Sequence, residues 1–394
     1  MTTANTTGTA TLTDGVRAEA TIDLAALRGN LAALRDRIAG SALMAVVKAD
    51  AYGHGAVRCA REAVAAGVGW LGTAMPEEAL ALRAAGIGPE QARVLCWLWT
   101  PGGPWQQALR AGIDISVSGM WALDELLAAV RETGVSGRVH LKADTGLGRN
   151  GCQPHDWPEL VAAALRAQAE GLISVVGLWS HFAAADEPGH PSVQAQLDGF
   201  AAALGYAERA GVRPEVRHLA NSPATLLLPQ SHYDLCRTGL AMYGLSPVPE
   251  VGSPADFGLR PVMSLRARLA LVKTVPGGHG VSYGHHYTTP GETTLGLVPV
   301  GFADGIPRHA SGTGPVQIAG KWRTVAGRVA MDQFVVDLGG DTPAVGEEVL
   351  LFGNGENGEP TAEDWGRACD TLSYEIVTRI GARVPRRYVG GYQL

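Results

Sequence analysis

Between residue 23 and about residue 240, short runs of Val, Ile, Leu and Trp alternate with Ala-, Leu- and Arg-rich stretches of helical period. The apolar runs predict eight strands: Leu43–Lys48, Gly69–Ala74, Val94–Trp99, Ile113–Ser118, Val139–Lys142, Ser174–His181, Val216–Asn221 and Tyr233–Arg237. Between them, segments such as Met120–Thr133 set Leu123, Leu126, Leu127 and Val130 at i, i+3, i+4 and i+7, one face of an amphipathic helix. Eight strands with intervening helices match a (β/α)8 barrel better than an open doubly wound sheet, although the count alone does not separate the two.

The pattern changes near Pro247-Val-Pro249 and Gly252-Ser-Pro254, a linker-like stretch. Beyond it come strands with tight turns: Ser264–Thr274, Leu295–Phe302, Pro315–Ala319, Thr324–Leu338 and Glu347–Phe352. Thr361–Cys369 reads as a helix, with Thr361 and Asp364 spaced for a capping box. The expected organisation is a disordered tail over 1–14, a barrel over 15–255 and a mostly β domain over 256–394.

Composition narrows the function classes. At 394 residues the chain is too long for one ordinary core. A net charge of −6 argues against a nucleic-acid or anionic-membrane partner. No apolar stretch is long enough to span a bilayer. The Thr-rich start lacks a basic end and an apolar h-region, so no secretory signal is read there. The five cysteines are scattered and include no Cys-x-x-Cys pair, which suits reduced thiols in the cytosol.

The candidate chemistry lies at the predicted strand ends, where the βα-loops of a barrel open. Lys48 ends the first strand, and Ala49-Asp-Ala-Tyr52-Gly-His-Gly55 follows it. Desolvation there lowers a lysine's pKa and exposes the neutral amine, which an aldehyde cofactor requires. Lys142 and Arg149 follow the fifth strand, His181 the sixth, Asn221-Ser222 the seventh, and Arg237-Thr-Gly239 the eighth. Ser222 reads as a helix N-cap with Pro223 behind it, and Gly239 would let backbone N–H groups approach the same anion, with Tyr52 donating its hydroxyl. Gly146-Leu-Gly148-Arg-Asn-Gly151 spells a dinucleotide fingerprint, but Pro154 and Pro158 follow directly and hold Trp157 out of a helix. His279, His285 and His286 lack a spaced acidic or Cys partner, so no metal is expected.

Val46-Val-Lys48-Ala-Asp-Ala-Tyr52-Gly-His-Gly resembles the pyridoxal-phosphate signature of alanine racemases. The resemblance continues in order through Lys142-x-Asp144-Thr-Gly-x-Gly-Arg149, Ser180-His181-Phe, His218-Leu-Ala-Asn221-Ser222, Arg237-Thr-Gly-Leu-Ala-Met-Tyr243, Val281-Ser-Tyr283-Gly, Gly301-Phe-Ala-Asp304-Gly, Gly327-Arg328-Val-Ala-Met331-Asp332 and Tyr374-Glu-Ile. It covers about residues 17 to 390.

The resemblance implies a cytoplasmic, homodimeric racemase that interconverts L- and D-alanine with pyridoxal 5′-phosphate and supplies D-alanine for cell-wall peptidoglycan. Lys48 matches the cofactor-bearing lysine and one catalytic base, and Tyr283 the second base, supplied across the dimer. Tyr52, Asn221, Ser222, Gly239, Leu240 and Tyr374 match cofactor positions, most of them at the phosphate. Arg237 matches the arginine at the pyridine nitrogen, with His181 beside the ring. Arg149 and the Met331 backbone match the groups that hold the substrate carboxylate, and Lys142 a lysine often carbamylated in the family. Phe302 departs from the usual tyrosine and Ala330 from a common cysteine, so channel size and substrate preference are open. The alternatives are a racemase of other small amino acids and a related barrel-fold decarboxylase, in which a carboxylate would be expected at the position of Arg237.

Overall fold

The computed structural model describes residues 12–38 and 40–392. The chain forms two compact units, one of Met1–Ala25 with Pro261–Gly391, the other of Ala26–Arg260 with Tyr392–Leu394.

The second of these is the barrel. Its strands are β2 (Ala42–Val46), β3 (Trp70–Thr73), β4 (Arg93–Cys96), β5 (Asp114–Val117), β6 (Gly137–Lys142), β7 (Ile173–Trp179), β8 (Val216–His218) and β9 (Leu235–Thr238), all parallel, in the spatial order β8-β7-β6-β5-β4-β3-β2-β9. Backbone hydrogen bonds from Asp234 N to Arg217 O and from Arg237 N to Ala220 O, both 3.0 Å, tie β9 to the β8 segment. Met44, Val46, Leu95, Val216 and Leu235 meet in a buried cluster against Trp70 and Trp97. Each of the eight expected strands is present, in six cases one to three residues shorter at its C-terminal end, because the chain turns into its loop earlier.

The other unit is mostly β. A strand preceding the barrel, β1 (Ala18–Asp23), pairs antiparallel with β10 (Met263–Arg268) and parallel with β19 (Arg386–Val389). The six-stranded sheet is completed by β15 (Pro315–Ile318), β16 (Lys321–Thr324) and β18 (Glu348–Phe352). A three-stranded sheet joins β11 (Leu271–Val275), β14 (Thr293–Val298) and β17 (Phe334–Gly339), and β12 (Gly280–Val281) with β13 (Tyr287–Thr288) forms a small hairpin. The run expected as one strand over Ser264–Thr274 divides into β10 and β11.

Residues 18–25 thus belong with the β unit, not with the barrel as the sequence pattern suggests. The reason is that β1 is buried on both faces and carries polar residues on one of them. Glu19 is buried and pairs with Arg387 at 2.8 Å, and Thr21 is buried beside it, so the polar face that alternates with Ala18, Ala20 and Ile22 is covered as well, by partners far along the chain. Of the tail expected over 1–14, residues 1–11 lie outside the described residues. Leu12 is buried, and its backbone is held by Glu348 and Arg268. Thr361 caps the helix Ala362–Ala368, with Asp364 reciprocating as the spacing predicts. No described helix is long and apolar enough to cross a membrane.

Candidate active site at the barrel mouth

β2 delivers the chain to Lys48 and then reverses it. Ala49, Asp50, Ala51 and Tyr52 all take φ between 51° and 55°, a single turn of left-handed helix built without glycine. An L-residue pays roughly 1–2 kcal/mol for that conformation, so the surroundings must hold it. Glu78 accepts from the Ala49 N–H at 2.6 Å, Asp50 accepts from Ala56 N at 2.7 Å, and the turn closes through Gly53 N to Ala49 O at 3.0 Å. Tyr52 packs edge-on against Tyr243, whose hydroxyl donates to Val46 O. The turn swings Tyr52 back beside the lysine, so that Lys48 Nζ lies 6.0 Å from the Tyr52 ring centroid and 5.9 Å from that of Trp97. Burial and the Arg149 charge lower the Lys48 pKa, against the pull of Glu78.

Tyr52 also faces Ser222 and Gly239. Pairing of Ala45 with Thr238 sets β9 beside β2, so Arg237-Thr-Gly239 emerges next to the Lys48 turn. The Ser222 hydroxyl accepts from Gly239 N at 2.9 Å and from Ala241 N at 3.4 Å. At Gly239 an added Cβ would stand 2.3 Å from the Tyr52 hydroxyl. Glycine is therefore required for this approach, and the hydroxyls of Tyr52 and Ser222 converge with the backbone of Gly239 and Leu240. The cap is one residue earlier than the sequence suggests. Asn221, not Ser222, caps the helix Ser222–Leu227 by accepting from Ala224 N at 3.2 Å, which leaves the Ser222 hydroxyl for Gly239.

Arg237 is buried among groups that only accept from it. Its guanidinium donates to Ser180 O (2.9 Å), Leu219 O (3.0 Å), His218 Nδ1 (3.1 Å) and His181 Nδ1 (3.3 Å), and lies 4.9 Å from the Trp179 ring centroid. Burial pulls its pKa down, but a guanidinium begins so high that it stays charged. Because arginine only donates, His218 must accept at Nδ1 and carry its proton on Nε2. That proton meets His140 Nδ1 at 2.9 Å, and His140 Nε2 meets Asp114 Oδ2 at 3.3 Å. Burial raises the Asp114 pKa, yet the His140 hydrogen bond and Arg138 bring it below the ordinary carboxylate value. An anion deep in the barrel thus faces the arginine through two imidazoles of fixed tautomer. Burial and Arg237 hold His218 and His181 well below the usual imidazole pKa, so both are neutral. Sequence reading passes over Asp114 and His140. Their signal is polar residues in otherwise apolar strands, and His140 shares the face of Lys142 two residues on.

Lys142 is 2 % exposed, lies 4.1 Å from the Trp179 ring centroid and donates to Asn150 Oδ1. Burial, then the charges of Arg237 and Arg149, push its pKa down to about 7. The following loop folds around Asp144, whose carboxylate accepts from Gly146 N, Gly148 N and Gln153. Arg149 stands exposed at its tip. The glycines of the apparent dinucleotide fingerprint serve this loop, which ends in a bridge between Ala143 and Cys152. Trp157, expected outside any helix, starts the helix Trp157–Ala169, because Pro158 falls in the first turn, where no N–H is needed.

The β unit carries the remaining predicted residues. Tyr283 sits in a tight turn between Ser282 (φ 61°) and Gly284 (φ 71°) and is 69 % exposed. Met331 is exposed beside the Gly301–Gly305 turn, and Tyr374 is half-buried on the helix Ser373–Thr378.

Two family models match the chain, the alanine racemase N-terminal domain over residues 22–247 and the alanine racemase C-terminal domain over 262–388. The alanine racemase of Streptomyces coelicolor is 71% identical over 376 residues, 95% of this chain and 96% of that one. The chain belongs to the alanine racemase family. The alanine racemase of Frankia casuarinae is 57% identical over 95% of this chain and 97% of its own. Among solved structures, alanine racemase from the D-cycloserine-producing Streptomyces lavendulae superposes with a TM-score of 0.95 at 67% identity, covering 97% of this chain and 99% of that one. Barrel and β unit are thus those of the family, and the chain is an enzyme of the racemase class.

Proposed function

We propose that the protein interconverts L- and D-alanine with pyridoxal 5′-phosphate bound at the barrel mouth, as a cytoplasmic homodimer that supplies D-alanine for cell-wall peptidoglycan. The observation that carries this reading is the β2–β9 pairing, which sets the pKa-lowered Lys48 amine beside the cradle of Tyr52, Ser222 and Gly239 and beside Arg237. Lys48 would hold the cofactor's aldehyde carbon. Tyr52, Ser222, Gly239, Leu240 and Tyr374 would hold its phosphate, with Asn221 shaping the loop. Arg237 would donate to the ring nitrogen, with His181 alongside. The donor set fits, since a dianion meets hydroxyl and N–H donors and the ring nitrogen meets a group that gives a hydrogen bond without giving up its proton.

When bound, pyridoxal phosphate would supply an electron sink that makes the substrate's Cα hydrogen acidic. Lys48 Nζ takes or returns that proton on one face, and Tyr283 Oη does so on the other. Arg237 cannot protonate the ring nitrogen, so less charge is drawn into the ring and reprotonation at Cα is favoured over transamination. Arg149 and the Met331 N–H orient the substrate carboxylate. The exposure of Tyr283, Met331 and Phe302 supports a second subunit covering this face, with each subunit lending Tyr283 to the other's site. Lys142, neutralised by burial between cations, suits carbamylation, and the new carboxylate would anchor Arg149.

Incubation with L-alanine, followed by chiral separation, should show D-alanine forming until the enantiomers are equal, with serine turned over more slowly. Borohydride reduction of the resting enzyme should label the peptide containing Lys48. A labelled Lys48 with no D-alanine formed would leave a cofactor-binding protein and defeat the catalytic reading.

A further inference from the structure

The segments that carry Tyr283, Phe302 and Met331 are fastened to one another and then to a single buried carboxylate. The Ser282 hydroxyl donates to Arg328 O at 2.6 Å, joining the Tyr283 turn to the loop that leads to Met331. Phe302 N donates to Ala330 O at 3.1 Å and Ala303 N to Met331 O at 2.9 Å, which joins that loop to the 301–305 turn. The contact is so close that a Cβ on Gly301 would lie 2.3 Å from Ala330 O. The Met331 carbonyl is thereby used, while its N–H has no backbone partner among the described residues.

Asp304 anchors the 301–305 turn from within. Its side chain is fully buried, with Oδ2 accepting from Gly301 N at 2.9 Å and Oδ1 meeting Arg17 at 2.5 Å and Arg383 Nε at 3.2 Å. The second arm of Arg383 reaches Asp332 Oδ1 at 2.7 Å. One guanidinium therefore spans the buried anchor and the residue that follows Met331. An exposed ion pair such as Arg383–Asp332 contributes little stability by itself. Here, however, the arginine is already oriented by Asp304, so less side-chain freedom is lost in reaching Asp332. The bridge adds little to folding and fixes the chain on the Asp332 side of Met331, while Phe302 N holds the Ala330–Met331 peptide, which carries the Met331 N–H, from the other side.

We infer that Arg383, held by Asp304 and gripping Asp332, is a positioning residue for the Met331 N–H and so sets the affinity for the substrate carboxylate. The inference rests on the assignment of Met331 and Arg149 to that carboxylate. Arg383 touches neither substrate nor cofactor and acts through Asp332 and, by way of Asp304, through the 301–305 turn. Losing the bridge leaves the Ala330–Met331 peptide held from the Phe302 side alone, so its N–H is aimed less firmly, which weakens ground-state and transition-state binding alike. Uniform binding of that kind appears in KM and leaves kcat in place.

The test uses the cofactor-loaded enzyme and propionate, alanine without its amine, as a competitive probe of the carboxylate subsite. In Arg383→Met, KM for both enantiomers and the propionate inhibition constant should rise together by about tenfold, with kcat within about twofold. Arg383→Lys should recover part of the loss. Asp332→Asn, which leaves the buried anchor untouched, should move the same two constants in the same direction by about threefold. Arg149→Lys reports on the subsite independently. If Arg149→Lys weakens propionate while Arg383→Met and Asp332→Asn do not, the positioning role is wrong and the subsite stands. If none of the three moves propionate, the subsite assignment itself fails and the positioning role falls with it. A fall in kcat at constant KM in Arg383→Met also overturns the proposal.

Discussion

At the barrel mouth the cationic side chains nearest the strand ends are withdrawn from water, while Arg149, on its loop, is exposed. Arg237 is 4 % exposed and Lys142 2 %, and Lys48 is half-buried. In the β unit the corresponding side chains are apolar or aromatic and stand in solvent, with Tyr283 at 69 %, Met331 at 57 % and Phe302 at 39 %. The first arrangement is braced within the barrel, because both terminal nitrogens of Arg237 and the ring nitrogens of His218 and His140 meet protein partners, while Nη1, with one such bond, retains a hydrogen for a further acceptor. The second is held stiffly at its base by Asp304 and left open at its tips. Burial tunes proton affinity at the barrel mouth, whereas the β unit contributes placement. Such a division suits a site whose cofactor half is made within one chain and whose second base is brought to it.

The largest expected effect breaks that division outright. Lys48→Ala and Tyr283→Ala should each abolish racemisation, and mixing the two inactive proteins should restore up to about a quarter of wild-type activity, since half the dimers are mixed and each holds one intact site. No recovery after verified subunit exchange would mean that each site is built within one chain.

A smaller, one-sided loss separates the bases. Tyr283→Phe keeps the cofactor groups and should lower racemisation by about 10²–10⁴ in both directions. Deuterium exchange at Cα should persist for one enantiomer through Lys48 and fall toward background for the other. Equal loss of exchange for both enantiomers would point to a single base.

The mildest effect concerns the barrel's hidden charge. The Lys142 pKa in the fold, about 7, lies below its free value of 10.5. The unfolded chain therefore holds that proton more tightly. The resulting penalty on the fold is complete below pH 7 and fades as pH rises toward 10.5. Unmodified Lys142 thus predicts that Lys142→Met raises stability at pH 6 by about 1–2 kcal/mol, with the gain vanishing near pH 10.5. Carbamylated Lys142 predicts the opposite sign at neutral pH, where the variant loses the new carboxylate's contacts. Melting curves across pH, with and without bicarbonate, distinguish the two.

The barrel strands are legible in the sequence because most are short, largely apolar runs between helical stretches, and the polar residues that follow several of them coincide with the groups gathered at the mouth. Strand β1 alternates Ala18, Ala20 and Ile22 with Glu19, Thr21 and Asp23, but its place in the β unit is set by pairing with β10 and β19, more than 240 residues along the chain, which no local pattern reveals. The hairpin of β12 and β13 has two residues per strand, too few for any periodicity. The Asn221 cap is displaced by one residue from the expected Ser222 because both side chains are capable caps, and only the approach of Gly239 shows that the Ser222 hydroxyl is used elsewhere. The left-handed conformation of residues 49–52 cannot be read locally, since alanine, aspartate and tyrosine there carry none of the usual glycine signal. It is imposed by Glu78, Asp50 and the packing of Tyr52, which are contacts of the finished fold.

That turn has a consequence for the adaptability of the enzyme. At positions 49 and 51 glycine would relieve the steric conflict of the left-handed backbone, a gain of about 1–2 kcal/mol per residue before the added freedom of the unfolded chain is subtracted. Selection for heat resistance alone would therefore drift toward glycine beside Lys48. The same replacement removes the stiffness that aims the amine, so gains in melting temperature at this loop come with a lysine that wanders. Thermostable variants chosen without an activity screen should accumulate here, in the part of the barrel least able to accept them.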